Sequence, residues 1–310
     1  MAASFNSALR TGILAATTNT AVKSVVARYG DKLGARRFAA GADFDECLAV
    51  LEQLTARGFY SYVSPLGEAL HERDEIEAIV EEFRLVLTRL KSAALDATIA
   101  LKLTQIGLAI SEDYAFQNTL RVVDRAAQDN RFVRISMEES PTIDATLRTY
   151  RRLREAGYEN VGVVLQSYLY RSEQDLKDLL EYRPNIRIVK GAYLEPAEVA
   201  YPRKSDVDVA YLRLLKRALS HGDFTAIATH DERIIDYALE YTDRNGINPE
   251  RFEFQMLLGV RPQLQEALLD RGLKVRLCVP YGPDWYPYFM RRLAERPANL
   301  LFIGRSLIER

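Results

Sequence analysis

The sequence has 310 residues, 48% hydrophobic and 27% charged, a balance typical of a globular protein with a large core. Its formal net charge of −1 provides no broad basic surface, so nucleic-acid binding is not expected. Two cysteines and three scattered histidines show neither a disulfide framework nor the spacing of a metal site, and no apolar run approaches the ~18 to 20 residues that cross a bilayer.

Eight short β-rich runs alternate with longer helical patterns along the chain. The runs cover residues 59–63, 98–103, 132–137, 161–165, 186–189, 225–229, 252–257 and 275–279. Pro262 and Gly272 bracket one of the helices, and Ser172 with Asp175 forms a capping-box variant at the start of another. Strand followed by helix, eight times, predicts a distorted (β/α)8 barrel.

The barrel is expected to form one domain spanning residues 1–310, with helices over about residues 1–56 packed outside a barrel over about residues 57–310. A doubly wound sheet is the structural alternative. The glycine-rich phosphate fingerprint that should follow its first strand is missing.

Polar residues stand at the predicted carboxyl ends of the strands, where active sites of this fold gather. They are Lys102, Ser136, Glu138, Glu139, Gln166, Lys190, Thr229, His230, Asp231, Gln255, Arg276 and Cys278. A lysine within an apolar strand, such as Lys102 or Lys190, needs a charged partner or a ligand, because burying an unpaired ammonium is costly. For either lysine alone, a structural ion pair with a barrel carboxylate explains the pattern as well as a ligand contact does. Several such groups together favour a functional site.

Four residues near the carboxyl terminus share one face of a predicted helix: Tyr288, Arg291, Arg292 and Glu295 recur at offsets of three, four and seven. Two arginines that offer fixed donors to a planar anion, one of them paired with a glutamate, are typical of a carboxylate clamp. The alternative is a solvated helix face with an i,i+4 ion pair.

Seven segments, taken in order, resemble the proline dehydrogenase family in its single-function bacterial form. They are residues 37–41, 101–103, 163–168, 187–193, 228–231, 252–257 and 288–295, with the sequences Arg-Phe-Ala-Ala-Gly, Leu-Lys-Leu, Val-Val-Leu-Gln-Ser-Tyr, Arg-Ile-Val-Lys-Gly-Ala-Tyr, Ala-Thr-His-Asp, Phe-Glu-Phe-Gln-Met-Leu and Tyr-Phe-Met-Arg-Arg-Leu-Ala-Glu. The resemblance implies a flavin enzyme that oxidises L-proline to Δ1-pyrroline-5-carboxylate.

The resemblance further implies noncovalent FAD above the carboxyl ends of the strands, with the last helix over the site. It assigns FAD contacts to Met137, Gln166, Arg187, Lys190, Gly191, Ala192, Thr229 and His230. Met137 would lie beside the isoalloxazine ring, and Gln166 would bind its pyrimidine edge. Arg187 would donate to the nitrogen that accepts hydride, while Lys190 and His230 would neutralise the pyrophosphate.

On the substrate side, the resemblance implies a carboxylate clamp, an enclosed ring and a lid. Lys102, Arg291 and Arg292 would bind the proline carboxylate, Tyr193, Leu257 and Tyr288 would enclose the ring, and Glu295 would pair with Arg291 as an ion-pair gate. Arg187 and Ser136 are assigned catalytic roles.

Two positions depart from the family's pattern. Many relatives have an acidic residue at Ser136 that can pair with Lys102, so here Lys102 must be neutralised by substrate, by Glu138 or by another group. Cys278 stands where some relatives have tyrosine, and this difference changes the space available around the substrate ring.

Electrons are expected to pass to a membrane quinone, which implies a cytoplasmic enzyme that attaches peripherally to the inner membrane. Functional coupling to pyrroline-5-carboxylate dehydrogenase is also expected. Two other functions remain open: an aldolase-like lyase that uses Lys190 or Lys102 as a Schiff-base nucleophile, and a non-catalytic binding module.

Overall fold

A computed structural model of the chain describes residues 38–67, 69–283, 285 and 288. Eight parallel strands close into a barrel in sequence order. They are β1 (Tyr60–Pro65), β2 (Ala97–Leu101), β3 (Val133–Ile135), β4 (Val161–Gln166), β5 (Asn185–Val189), β6 (Phe224–Ala228), β7 (Phe252–Leu257) and β8 (Val275–Tyr281). Each strand overlaps one predicted run, and β8 pairs with β1, so the (β/α)8 barrel is confirmed and the doubly wound sheet was the wrong alternative.

Helices occupy the connections between the strands. They are α1 (Phe44–Ala56), α2 (Arg73–Ser92), α3 (Glu112–Ala127), α4 (Ile143–Glu155), α5 (Ser172–Leu179), α6 (Lys204–His221), α7 (Glu232–Arg244) and α8 (Pro262–Asp270). Helix α1 precedes β1, and α2 to α8 follow β1 to β7 in turn. The final helix that was predicted over the site lies outside the described residues, and no described helix is both long and apolar enough to cross a membrane.

Helix boundaries agree with one set of predicted signals and contradict the other. Pro262 is the first residue of α8, and Gly272 follows the helix with a positive φ of 74°. The predicted capping box at α5 is wrong, because the Ser172 hydroxyl donates to the carbonyl of Gln166 at 2.6 Å. Asp175 instead accepts from the Arg171 guanidinium at 2.8 Å, so both side chains bind the segment before the helix.

Alternate strand residues face the helices and the barrel interior, and the two faces differ in chemistry. The helix-facing positions are fully buried and apolar, among them Val63, Ile99, Ile135, Val163, Ile188, Ile227, Phe254 and Leu277. Arg187 of β5 lies 5.0 Å from the ring centre of Tyr62 on β1. Because β1 and β5 are on opposite sides of an eight-stranded barrel, these side chains meet inside it. The barrel interior therefore contains polar and charged groups within an apolar shell.

Candidate active site

Most of the predicted site residues gather at one end of the barrel, because all eight strands run in the same direction. The residues that end a strand or lie within two positions after its end are Lys102, Ser136, Met137, Gln166, Lys190, Gly191, Thr229, His230 and Leu257. This end is called the mouth. The parallel closure of the sheet brings together segments more than a hundred residues apart, as the predicted barrel requires.

Arg187 is the buried cation of the mouth, with 8% of its surface exposed. Its guanidinium stacks on Tyr62 and donates to the hydroxyl of Ser136 at 3.3 Å. Burial raises the pKa of Tyr62 well above its ordinary value, so the phenol under the guanidinium is neutral. The Nε atom of Arg187 is buried and has no hydrogen-bond partner within the described residues. A buried donor in this condition is suited to an acceptor on a ligand.

The loops after β2 and β3 are joined through a buried carboxylate. Glu138 accepts hydrogen bonds from the hydroxyl and the backbone amide of Thr104, at 2.7 and 3.2 Å. Thr104 follows Lys102 by two residues, and the Lys102 ammonium donates to the carbonyl of Gly67 at 3.3 Å. Glu138, one of the groups expected to neutralise Lys102, therefore binds the chain segment that carries this lysine.

Gln166 is fixed by its neighbours rather than extended toward solvent. Its side-chain amide donates to the carbonyl of Glu138 at 2.9 Å, and 2% of the residue is exposed. Met137, next to Glu138, is also buried. The predicted binding of the flavin's pyrimidine edge would use the side-chain oxygen of Gln166 or the second N–H of its amide.

Lys190 lies between two carboxylates. Its ammonium donates to Asp208 of α6 at 2.6 Å and to Asp231 at 2.8 Å. Burial opposes ionisation of Asp231, but the hydrogen bond from Lys190 holds the pKa of that carboxyl well below its usual range. The structural ion pair, which the sequence left open, is confirmed for this lysine. Among the described residues, two of the three N–H donors of the ammonium are used, which leaves one for a phosphate.

Two hydrogen bonds from described residues help to hold His230. The backbone amide of Leu257 donates to its Nε2 at 3.0 Å, and Arg261 donates to its carbonyl at 2.8 Å. An Nε2 that accepts a hydrogen bond carries no proton, so this geometry fits the neutral ring with its proton on Nδ1. The neighbouring Thr229 hydroxyl accepts from the amide of Asp231 at 3.1 Å. His230 thus fixes the end of β7, whereas the cationic role expected from the resemblance would require a change in this bond.

The loop after β5 is tied across the mouth to the loop after β3. Glu195 accepts hydrogen bonds from the amide and the hydroxyl of Ser140, both at 2.6 Å. Gly191 begins this loop with φ of 113°, and a Cβ there would lie 2.3 Å from the Tyr168 ring, so only glycine fits. Between these anchors Ala192 is exposed and Tyr193 is partly exposed.

The substrate clamp is described only in part. Tyr288 is partly exposed, its hydroxyl oxygen is buried, and it acts on the pKa of Tyr62, which lies at the same end of the barrel interior as Arg187. Arg291, Arg292 and Glu295 lie outside the described residues. Their assignment as a carboxylate clamp and ion-pair gate stays a prediction.

One part of the predicted set of strand-end residues is wrong. Arg276 is the second residue of β8 and pairs in register with the first residue of β1, so it lies away from the mouth. Its guanidinium donates to Glu253 at 2.7 Å, and Gln255 donates to the same carboxylate oxygen at 2.6 Å. Glu253 and Tyr62 were not predicted as interior residues. For Glu253, the alternation of Glu253 and Gln255 with apolar residues in the seventh run was a signal for an interior-facing row.

Comparison with known proteins gives a consistent result. The family model for proline dehydrogenase matches residues 47–305. Proline dehydrogenase 1 of Bacillus subtilis subsp. natto is 37% identical over 302 residues, which are 97% of this chain and 100% of that protein. Proline dehydrogenase of Deinococcus radiodurans is 40% identical over 279 residues, 89% of this chain and 90% of that one.

Among solved structures, proline utilization A (PutA) from Bdellovibrio bacteriovorus, inactivated by N-propargylglycine, matches with a TM-score of 0.81 at 24% identity. The match covers 88% of this chain and 33% of that protein, so this chain spans about a third of its length, and the likeness shows the fold alone. From the family match and the two similar proline dehydrogenases, we conclude that the chain belongs to the proline dehydrogenase family.

Proposed function

We propose that the protein oxidises L-proline to Δ1-pyrroline-5-carboxylate with bound FAD and that the electrons then pass to a quinone. Membership of the proline dehydrogenase family supports the oxidation of proline. The observation that carries the flavin assignment is the buried Nε donor of Arg187, which has no partner in the described part of the chain. It lies at the end of the barrel where enzymes of this fold bind their ligands.

The residues at the mouth fit a flavin in their chemistry. Arg187 offers a cationic donor for an electron-rich ring, Lys190 keeps one donor for a phosphate, and Gln166 offers a side-chain oxygen to an N–H group. When bound, FAD would supply the acceptor for the hydride that leaves the ring carbon next to the proline nitrogen.

The chain's own residues would orient the substrate and stabilise negative charge. Arg187, stacked on Tyr62 and bonded to Ser136, is held in place by contacts within the protein. A preorganised cation of this kind stabilises charge that develops during the reaction. Lys102, with the predicted Arg291 and Arg292, would bind the proline carboxylate.

The rest of the substrate pocket would exclude water and select the reactive form of the substrate. Tyr193, Leu257 and Tyr288 would enclose the ring, and closure of the helix that carries Glu295 would exclude water from the reacting carbon. Proline must react as its neutral amine, since the nitrogen lone pair assists departure of the hydride.

The test is the colour of the purified protein and its response to proline. We expect a yellow protein whose flavin absorbance bleaches when proline is added without oxygen. A colourless preparation that also fails to take up added FAD would contradict the proposal. Trapping of a carbonyl substrate by borohydride would then identify a Schiff-base lysine lyase, and failure of both tests would leave a non-catalytic binding module.

A further inference from the structure

The barrel interior below the mouth contains an unusual set of charges. Three guanidinium groups and one carboxylate lie among its described residues: Arg134, Arg187, Arg276 and Glu253. Arg276 is the partner of Glu253, with Nε and Oε1 2.7 Å apart, and the Glu253 side chain is 4% exposed. Arg134 and Arg187 form no ion pair with a described carboxylate, so two positive charges in this set have no negative counterpart.

Arg134 is bound by uncharged oxygens. It donates to the backbone carbonyls of Asn185 at 2.7 Å and Val163 at 3.2 Å, and its guanidinium packs 4.8 Å from the ring centre of Phe132. Gly162 on the adjacent strand makes room for it, because a Cβ there would lie 2.4 Å from Arg134 Nη1 and 2.5 Å from the Asn185 carbonyl. The cation is therefore held in place by a fitted cavity rather than by a counter-ion.

The energetics of Arg134 are unfavourable for the fold alone. Burial, followed by repulsion from Arg187, lowers the pKa of Arg134 to about 9, and attraction by Glu253 acts in the opposite direction. The group remains protonated at pH 7. A buried charge without a counter-ion typically lowers stability by several kcal/mol, so the interior has a positive potential that an anion bound above it would relieve.

We propose that Arg134 is a positioning residue for the redox reaction, which acts through Arg187 to keep the mouth positive and to favour an anion there. The anion is the reduced flavin together with the substrate carboxylate, so this inference rests on the proposed function. Arg187 is the contact residue, and Arg134 lies behind it. Glu253 moderates the same potential from the side of Arg276.

The expected effect follows from Coulomb's law. Removing a positive charge near a bound anion makes that anion less stable, by an amount that depends on their separation and on the effective dielectric constant. Replacing Arg134 with Gln should therefore make two-electron reduction of the bound flavin about tenfold less favourable, which lowers its midpoint potential by about 30 mV. Glu253→Gln should raise the potential by a similar amount, because glutamine still accepts from Arg276 and Gln255 while the negative charge is removed.

The experiment is a spectroelectrochemical titration of the FAD-loaded protein and its variants. The series comprises wild type, Arg134→Gln, Arg134→Lys and Glu253→Gln, with thermal unfolding recorded for each. We expect Arg134→Gln and Glu253→Gln to shift the potential in opposite directions and Arg134→Lys, which keeps the charge, to stay near wild type. A purely structural role would lower the melting temperature of all three variants without this change of sign.

Each other outcome has a defined meaning. Equal potentials in wild type and Arg134→Gln, or shifts of both glutamine variants in one direction, would overturn the inference. If Arg134→Gln does not fold, Arg134→Met takes its place with the same expected fall in potential, and an unchanged potential in that variant overturns the inference. Wild type that binds FAD and is bleached by proline retains the proposed function in every one of these cases, whereas wild type that binds no FAD overturns both proposals.

Discussion

Replacing Lys190 with Met tests whether this lysine serves the fold or the cofactor. Its ammonium contacts Asp208 and Asp231, and the three side chains are 24%, 21% and 16% exposed. Removing one partner from a fully buried pair lowers stability by about 3–5 kcal/mol. Here Lys204 also contacts both aspartates, at 2.6 and 3.4 Å, and the site is partly solvated. We therefore expect a loss of about 1–2 kcal/mol in the protein without FAD.

The assay is urea unfolding of the FAD-free protein, combined with a double-mutant cycle. Lys204→Met is the matched control, because its side chain is 66% exposed and contacts the same two carboxylates; we expect a loss below about 1 kcal/mol. In the Asp231→Asn background, Lys190→Met should be less destabilising, since one of the two carboxylates that it would leave unpaired is already neutral. Unchanged FAD-free stability of Lys190→Met, together with lost FAD affinity, would refute this reasoning.

Three further predictions concern the clamp, the β5 loop and acid stability. Arg291→Met or Arg292→Met should weaken proline binding severely while FAD occupancy stays nearly intact; unchanged steady-state kinetics in both variants would remove the clamp assignment. Gly191→Ala should lower stability by about 1–3 kcal/mol and reduce FAD occupancy, measured by unfolding and flavin absorbance, because alanine is strained at a φ of 113°. Burial opposes ionisation of Asp231, but the hydrogen bond from Lys190 lowers its pKa in the folded protein, so its stabilising contribution is present above about pH 4 and lost as the pH falls. The free energy of unfolding of Asp231→Asn should therefore differ most from that of wild type at neutral pH and least near pH 2. Asparagine is used because it keeps a side chain that can cap the helix.

The strands were predictable because parallel strands of a barrel are buried on both faces and form short apolar runs bounded by turns. The fourth run, residues 161–165, is extended in the structure by one residue to Gln166. Differences at strand ends have local causes. The second run was predicted to reach residue 103, but β2 ends at Leu101, because the Gln105 side chain accepts from the amide of Lys102 and starts a short 3₁₀ turn there.

The ion-pair partners were not predictable from sequence. Lys190 is 18 positions from Asp208 and 41 positions from Asp231, and nothing in those spacings indicates contact. The position of Arg276 was wrong for a related reason: a polar residue in a strand run can stand at either end of the barrel. Which end depends on where the strand begins relative to its neighbours, and that is set by the shear of the closed sheet.

The two cations assigned to the flavin differ in their partners within the protein. Lys190 is neutralised by two aspartates, so its replacement should first change stability. Arg187 forms no ion pair with a described carboxylate and is repelled from below by Arg134, so its charge acts on whatever binds at the mouth. Replacing Arg187 should consequently change the reduction potential of a bound flavin more than the stability of the fold. If replacing Arg187 left that potential unchanged, the charge of Arg187 would have to be neutralised within the protein. Its contacts in the barrel argue against such neutralisation.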